Sequence, residues 1–107
     1  MSRTPEEFFQ GLVEAQLGRP GISVGRMFGP PVLKVTGKVF AMLVKGRLVV
    51  KLPNQRVEEL LASGMGAPFD PGHGKPSKQW AAVDASVSRQ WRSLVDEARA
   101  FVASPHR

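Results

Sequence analysis

Apolar residues along this chain repeat first with a helical period, then in alternation, then helically again. Thr4-Pro5-Glu6-Glu7 reads as a capping box with proline at the first helical position. Phe8, Phe9, Leu12, Val13 and Leu17 follow at helical spacing, and Gly18-Arg19-Pro20-Gly21 stops the run, which predicts a helix over 5–17. From Ile22 the period changes. The runs 22–28, 31–35, 38–44 and 47–52 are short and rich in Val, Phe and Leu. Thr36-Gly37 and Lys45-Gly46 separate the last three as two-residue hairpin turns. Alternation sends Leu48, Val50 and Leu52 to one face and Arg47, Val49 and Lys51 to the other. Phe40, Met42 and Val44 are expected to share a buried face. The pattern predicts an antiparallel meander with one buried and one basic face.

Beyond Pro53 the helical period returns. Val57, Leu60 and Leu61 predict a helix over 54–63, ended by Gly64. Seven of the thirteen residues from Gly64 to Pro76 are glycine or proline, which predicts an irregular segment over 64–79. Phe69 is expected to anchor that segment to the core. A short strand follows at 80–83. Val87, Trp91, Leu94, Val95, Ala98, Phe101 and Val102 then form an apolar stripe that predicts a final helix over 87–103, capped by Ser86 or Ser88. The fold class is α+β: a single antiparallel sheet of about five strands packed against helices, in the order α-β-β-β-β-α-β-α. Residues 1–107 are expected to form a single domain, with no second domain. The expected core is Phe9, Leu12, Val13, Phe40, Leu48, Val50, Leu60, Trp91, Leu94, Val95 and Ala98.

Charge adds a regional feature to this outline. The formal net charge is +6, and no acid stands between Glu14 and Glu58. Eight cations occupy that interval: Arg19, Arg26, Lys34, Lys38, Lys45, Arg47, Lys51 and Arg56. A basic face attracts polyanions in a salt-dependent way. It also serves a bland purpose, because lysines on a sheet block edge pairing. The N-terminus has acids where a signal peptide has its apolar run, and no stretch is long and apolar enough to span a membrane. With no cysteine, disulfides and thiolate chemistry are excluded, and a cytoplasmic location is expected.

The chain offers little catalytic chemistry. His73 and His106 are its two histidines, and His73 stands between two glycines, a poor support for a general base. Gly72-His73-Gly74-Lys75-Pro76-Ser77 fails as a phosphate loop. Pro76 sits where a serine or threonine must hold magnesium, and no glycine stands five residues before Gly74. Asp70 and His73 supply two ligands where a metal site needs three or four. The pairs Glu6-Glu7, Glu58-Glu59 and Asp96-Glu97 diverge around their helices. Asp96 is expected to pair with Arg92 on an exposed face. No catalytic residue, cofactor or metal is expected.

Several motifs together resemble the N-terminal domain of TfoX/Sxy proteins. They are Arg26-Met27-Phe28-Gly29, Gly37-Lys38-Val39-Phe40-Ala41-Met42-Leu43 and Gly46-Arg47-Leu48-Val49-Val50-Lys51, with Ala67-Pro68-Phe69, the strand around Trp80 and the closing helix with Trp91. The resemblance spans about residues 4–104. It implies one antiparallel sheet with helices on one side. It also implies kinship with regulators of natural competence, which act with the cyclic-AMP receptor protein at promoters rather than as enzymes. Two departures stand out. Full-length competence regulators carry a second helical domain, whereas this sequence stops at Arg107, and Pro30-Pro31 replaces a glycine-rich stretch.

The leading expectation is a non-enzymatic regulatory or interaction module. Its surface would be the basic sheet face (Arg26, Lys34, Lys38, Lys45, Arg47, Lys51) or the segment carrying His73, Lys75 and Lys78. Its partner would be a protein of the transcription machinery or a regulator. The second reading is direct, weakly specific nucleic-acid binding through the same cations. The third is a small-ligand protein or enzyme using a cleft beside His73. A homodimer and a monomer are both left open, the dimer forming where Val32, Val49 and the Pro30-Pro31 edge are candidates to leave apolar surface. No membrane association is expected.

Overall fold

The computed structural model describes residues 4–26, 31–70, 74–75 and 77–104, with the side chain of Arg26 outside that description. Helix α1 spans Pro5–Leu17. Its capping box is closed, with the Glu7 N–H donating to Thr4 Oγ1 at 3.1 Å and the Thr4 N–H to Glu7 Oε1 at 3.0 Å. Strands β1 (Ile22–Arg26), β2 (Pro31–Val35), β3 (Lys38–Val44) and β4 (Arg47–Lys51) form the meander. Helix α2 is Asn54–Ser63, followed by β5 (Gly66–Pro68), β6 (Trp80–Val83), a 3₁₀ segment (Ala85–Gln90) and α3 (Trp91–Ala103). All neighbouring strands are antiparallel, and their order across the sheet is β1-β2-β3-β4-β6-β5.

Both tight hairpins form as their residues demand. Thr36 and Gly37 have φ of 49° and 83°, and Lys45 and Gly46 have 51° and 78°. Two successive positive φ angles match the right-handed twist of the flanking strands.

The core is one cluster on one face of the sheet. Phe9, Leu12 and Val13 from α1, Val57 and Leu60 from α2, and Trp91, Leu94, Val95, Ala98 and Val102 from α3 meet Leu33, Val35, Phe40, Leu43, Leu48, Val50 and Val83. Every residue expected in the core is buried. Trp91 is enclosed completely, stands edge-on to Phe8 at 5.7 Å and donates its indole N–H to the Asp84 carbonyl at 3.1 Å.

The structure corrects several expectations. Among the described residues there are six strands, because Gly66-Ala67-Pro68 pairs with Val83, Ala82 and Ala81. An edge strand tolerates glycine and proline, since half of its backbone groups face outward. The pairing of β2 with β3 shifts after Leu33: Leu33 faces Ala41 and Lys34 faces Val39, leaving Phe40 as an extra residue. This bulge puts Phe40 and Ala41 both into the core and moves Met42 and Val44 to the opposite face. Helix α3 starts at Trp91 rather than 87. Asp84, not Ser86 or Ser88, caps the preceding turn by accepting the Ser86 N–H at 2.9 Å, and Val87 leaves helical geometry at φ −111°. Asp96 pairs with Gln16 and Arg99 rather than Arg92; Gln16 Nε2 donates to its carboxylate at 2.8 Å. Last, Val32 and Val49 are buried within the chain rather than exposed as expected, and Pro30 lies outside the described residues.

Candidate functional site

Opposite residues in an antiparallel pair share a face, so the register assigns every strand side chain. The face turned away from the helices carries Val32 and Lys34 on β2, Val39, Met42 and Val44 on β3, Arg47, Val49 and Lys51 on β4, and Trp80 and Ala82 on β6. This outer face is not uniformly basic. Val32, Val49 and Ala82 are 5%, 0% and 5% exposed, yet none belongs to the helix-packed core cluster. A buried apolar strip therefore runs beneath the middle of the outer face, covered within the chain, with Lys34, Arg47 and Lys51 around it.

Phe69 contributes to that strip, and not to the core as the sequence suggested. It follows β5 directly, and its ring packs against Trp80 with centroids 6.4 Å apart and planes tilted by 59°. Its carbonyl accepts the Ser77 N–H at 3.0 Å, which ties the two ends of the 69–77 excursion together. The Lys51 ammonium stands 6.0 Å from the Trp80 ring centroid, within reach of a cation–π attraction. Beside these groups opens a pocket of about 390 Å³ lined by Val44, Lys45, Arg47, Val49, Pro68, Phe69 and Ala82. It lies between the β3–β4 turn and the end of β5.

Electrostatics at the pocket are set by Lys45 and Arg47, both exposed. The described lining residues include no acid. Asp84 is the acid whose charge couples to Arg47. Hydrogen bonds from the Ser86 N–H and then its hydroxyl, with a smaller effect of the Arg47 charge, hold the Asp84 carboxyl below the usual carboxylate range. A second polar cluster lies on the helical side, where Arg56 donates to Glu97 at 2.9 Å and to Glu59 at 3.2 Å. The Glu97 hydrogen bond raises the Arg56 pKa and keeps its charge fixed.

The cations singled out in the sequence do not form one site. Lys34, Arg47 and Lys51 share the outer face. Lys45 sits in the turn at its rim. Lys38 faces Val35 in register, which places it on the helix side at the strand end, exposed. The Arg26 backbone closes β1 opposite Pro31. Lys75 and Lys78 are exposed on the excursion, and His73 lies outside the described residues with Met27, Phe28 and Gly29 of the first motif. Among the described residues, no three His, Asp or Glu side chains gather closely enough to hold a metal ion. Also among them, no helix is long and apolar enough to cross a membrane.

Reading the sequence as a basic face missed the apolar half of the site: Val44, Val49, Pro68, Phe69, Trp80 and Ala82. The strict apolar alternation of β4 had put Val49 on the right face, but nothing local signalled that Phe69 would fold beside it. In comparison with known proteins, residues 15–103 match the family model of the TfoX N-terminal domain. No match was found among curated proteins.

Proposed function

The chain belongs to the TfoX N-terminal domain family, and from that premise we propose that it is a non-enzymatic regulatory module that works by docking a protein partner on the outer face of its sheet. The partner is a component or regulator of the transcription machinery, met in the cytoplasm, as kinship with competence regulators implies. One observation carries this reading. The outer face carries a preformed pocket with an apolar wall of Val44, Pro68 and Phe69 that reaches the surface, and its rim bears the exposed Lys45 and Arg47. Protein interfaces are built in this way, from a desolvated apolar centre inside a polar rim with arginine and aromatic anchors.

The same face supports a second reading, nucleic-acid binding, because Lys34, Arg47 and Lys51 point from it together. Three cations spread over two strands, with apolar residues between them, offer few phosphate contacts. Binding through them is weak, independent of sequence, and lost between about 50 and 200 mM salt.

Affinity capture from the native lysate, with and without nuclease, separates the two. The docking reading expects a protein recovered in equal amount after nuclease treatment. Recovery that disappears with nuclease overturns it in favour of nucleic acid.

A further inference from the structure

Resting on that docking reading, we propose that the pocket between the β3–β4 turn and Phe69 recognises a short acidic segment of the partner. One large apolar side chain of the segment seats against Val44, Pro68 and Phe69. A flanking carboxylate meets Lys45 and Arg47.

The pocket's volume of about 390 Å³ lies toward the lower end of the range for small binding cavities, ~300–1,000 Å³. That is room for one bulky side chain with its adjoining backbone. Its accessible apolar wall is Val44, Pro68 and Phe69, while Val49 and Ala82, 0% and 5% exposed, lie closed beneath them. Seating an apolar group there removes it from water without stranding a polar partner.

Its walls are preorganised. Pro68 is held in register opposite Ala81, and Phe69 is fixed by its ring contact with Trp80 and by the Ser77 N–H. Lys45 belongs to a tight turn whose φ angles are fixed by the hairpin. Preorganisation of this kind lowers the entropic cost of binding.

Charge selects the ligand. The described lining supplies two cations and no acid. Asp84 offsets part of the Arg47 charge, and Lys45 and Arg47 stand exposed at the rim, where a carboxylate complements them. A nucleobase suits the pocket less well. Its lining is aliphatic apart from Phe69, whereas single-stranded nucleic acid is held on successive aromatic platforms along a basic track. Here the two rim cations come from one turn.

The test is an amide ¹H–¹⁵N titration of the whole chain with three blocked peptides. One carries a phenylalanine between glutamates, one replaces the phenylalanine with serine, and one replaces the glutamates with lysines. The acidic phenylalanine peptide is expected to shift Val44, Arg47, Val49, Phe69 and Ala82, and to bind at least about tenfold more tightly than either analogue. Arg47→Gln and Lys45→Gln, at exposed positions, are each expected to weaken it several-fold with the spectrum otherwise intact. No shift at about 1 mM acidic peptide overturns the proposal, as does equal binding of the lysine peptide. So does an oligothymidylate that shifts the same amides more strongly. If peptide binding fails while a nuclease-resistant protein is still captured, the pocket chemistry falls and the docking reading stands. If no protein is captured, the docking reading itself falls.

Discussion

Removing the Asp96 carboxylate should destabilise the chain well beyond what an exposed helical aspartate would. Gln16 is 3% exposed, and its Nε2 donates to Asp96 Oδ1 at 2.8 Å. Asp96→Ala leaves that buried amide donor without its acceptor, at a cost of ~1–3 kcal/mol. The Arg99 contact is longer, at 3.5 Å between partly exposed groups, so its loss adds little. Alanine's better helix propensity returns ~0.5 kcal/mol. The net expectation is a loss of about 1–2 kcal/mol, or a Tm lowered by roughly 5–15 °C for a domain of this size. Thermal and urea unfolding followed by circular dichroism measure it. Arg92→Ala, at an exposed position, serves as the control and should stay within ~0.5 kcal/mol. The double variant Gln16→Leu, Asp96→Ala should recover most of the loss, because replacing both partners removes the stranded donor. Equal small losses for Asp96→Ala and Arg92→Ala, with no recovery in the double variant, would refute the reasoning and restore the exposed pair that the sequence suggests.

Four further outcomes follow from particular contacts. Phe69→Ala should cost about 1–2 kcal/mol, the ring contact plus partial burial, against ~3–5 for the core Phe40→Ala; equal costs by urea unfolding would put Phe69 in the core after all. Gly66→Ala should destabilise by ~1–3 kcal/mol, as overpacking does, because an added Cβ lies 3.0 Å from Leu60 Cβ. Gly25→Ala should be neutral or slightly stabilising, since its new Cβ meets only side-chain ends, the closest being movable Lys34 Cε at 2.9 Å; urea midpoints in the reverse order would contradict both. The carboxyl of Asp84 has its pKa lowered, so its contribution is complete above the unfolded value of ~3.9 and fades as pH falls through the folded one. The Tm gap between wild type and Asp84→Asn should therefore close on acidification, and a widening gap would contradict the sign.

Elements governed by local chemistry were legible in the sequence. Thr4 and Glu7 announce the start of α1, and Thr36-Gly37 and Lys45-Gly46 announce turns that need positive φ. The Leu48, Val50, Leu52 alternation names the core side of β4. What escaped was decided at long range or inside uniform stretches. The bulge at Phe40 falls in Val-Phe-Ala-Met-Leu-Val, where every residue is apolar and a slip of face leaves no trace in the pattern. Strand β5 is three residues of glycine, alanine and proline, and it exists because β6 offers an edge to pair with. The Gln16–Asp96 bond joins residues 80 apart. At the candidate site the cations were visible as charge, but the pocket they border depends on Phe69 coming to rest beside Val49 and Ala82.

The central claim is that a protein partner docks on the outer face at the pocket. Capture from nuclease-treated lysate with Arg47→Glu, compared with a Lys75→Ala, Lys78→Ala variant, tests it most directly. All three positions are exposed, so both variants should keep the wild-type Tm. The account predicts that Arg47→Glu loses the partner while the Lys75, Lys78 variant retains it. Full recovery with Arg47→Glu and loss with the Lys75, Lys78 variant would contradict it and move the interaction to the excursion after Phe69.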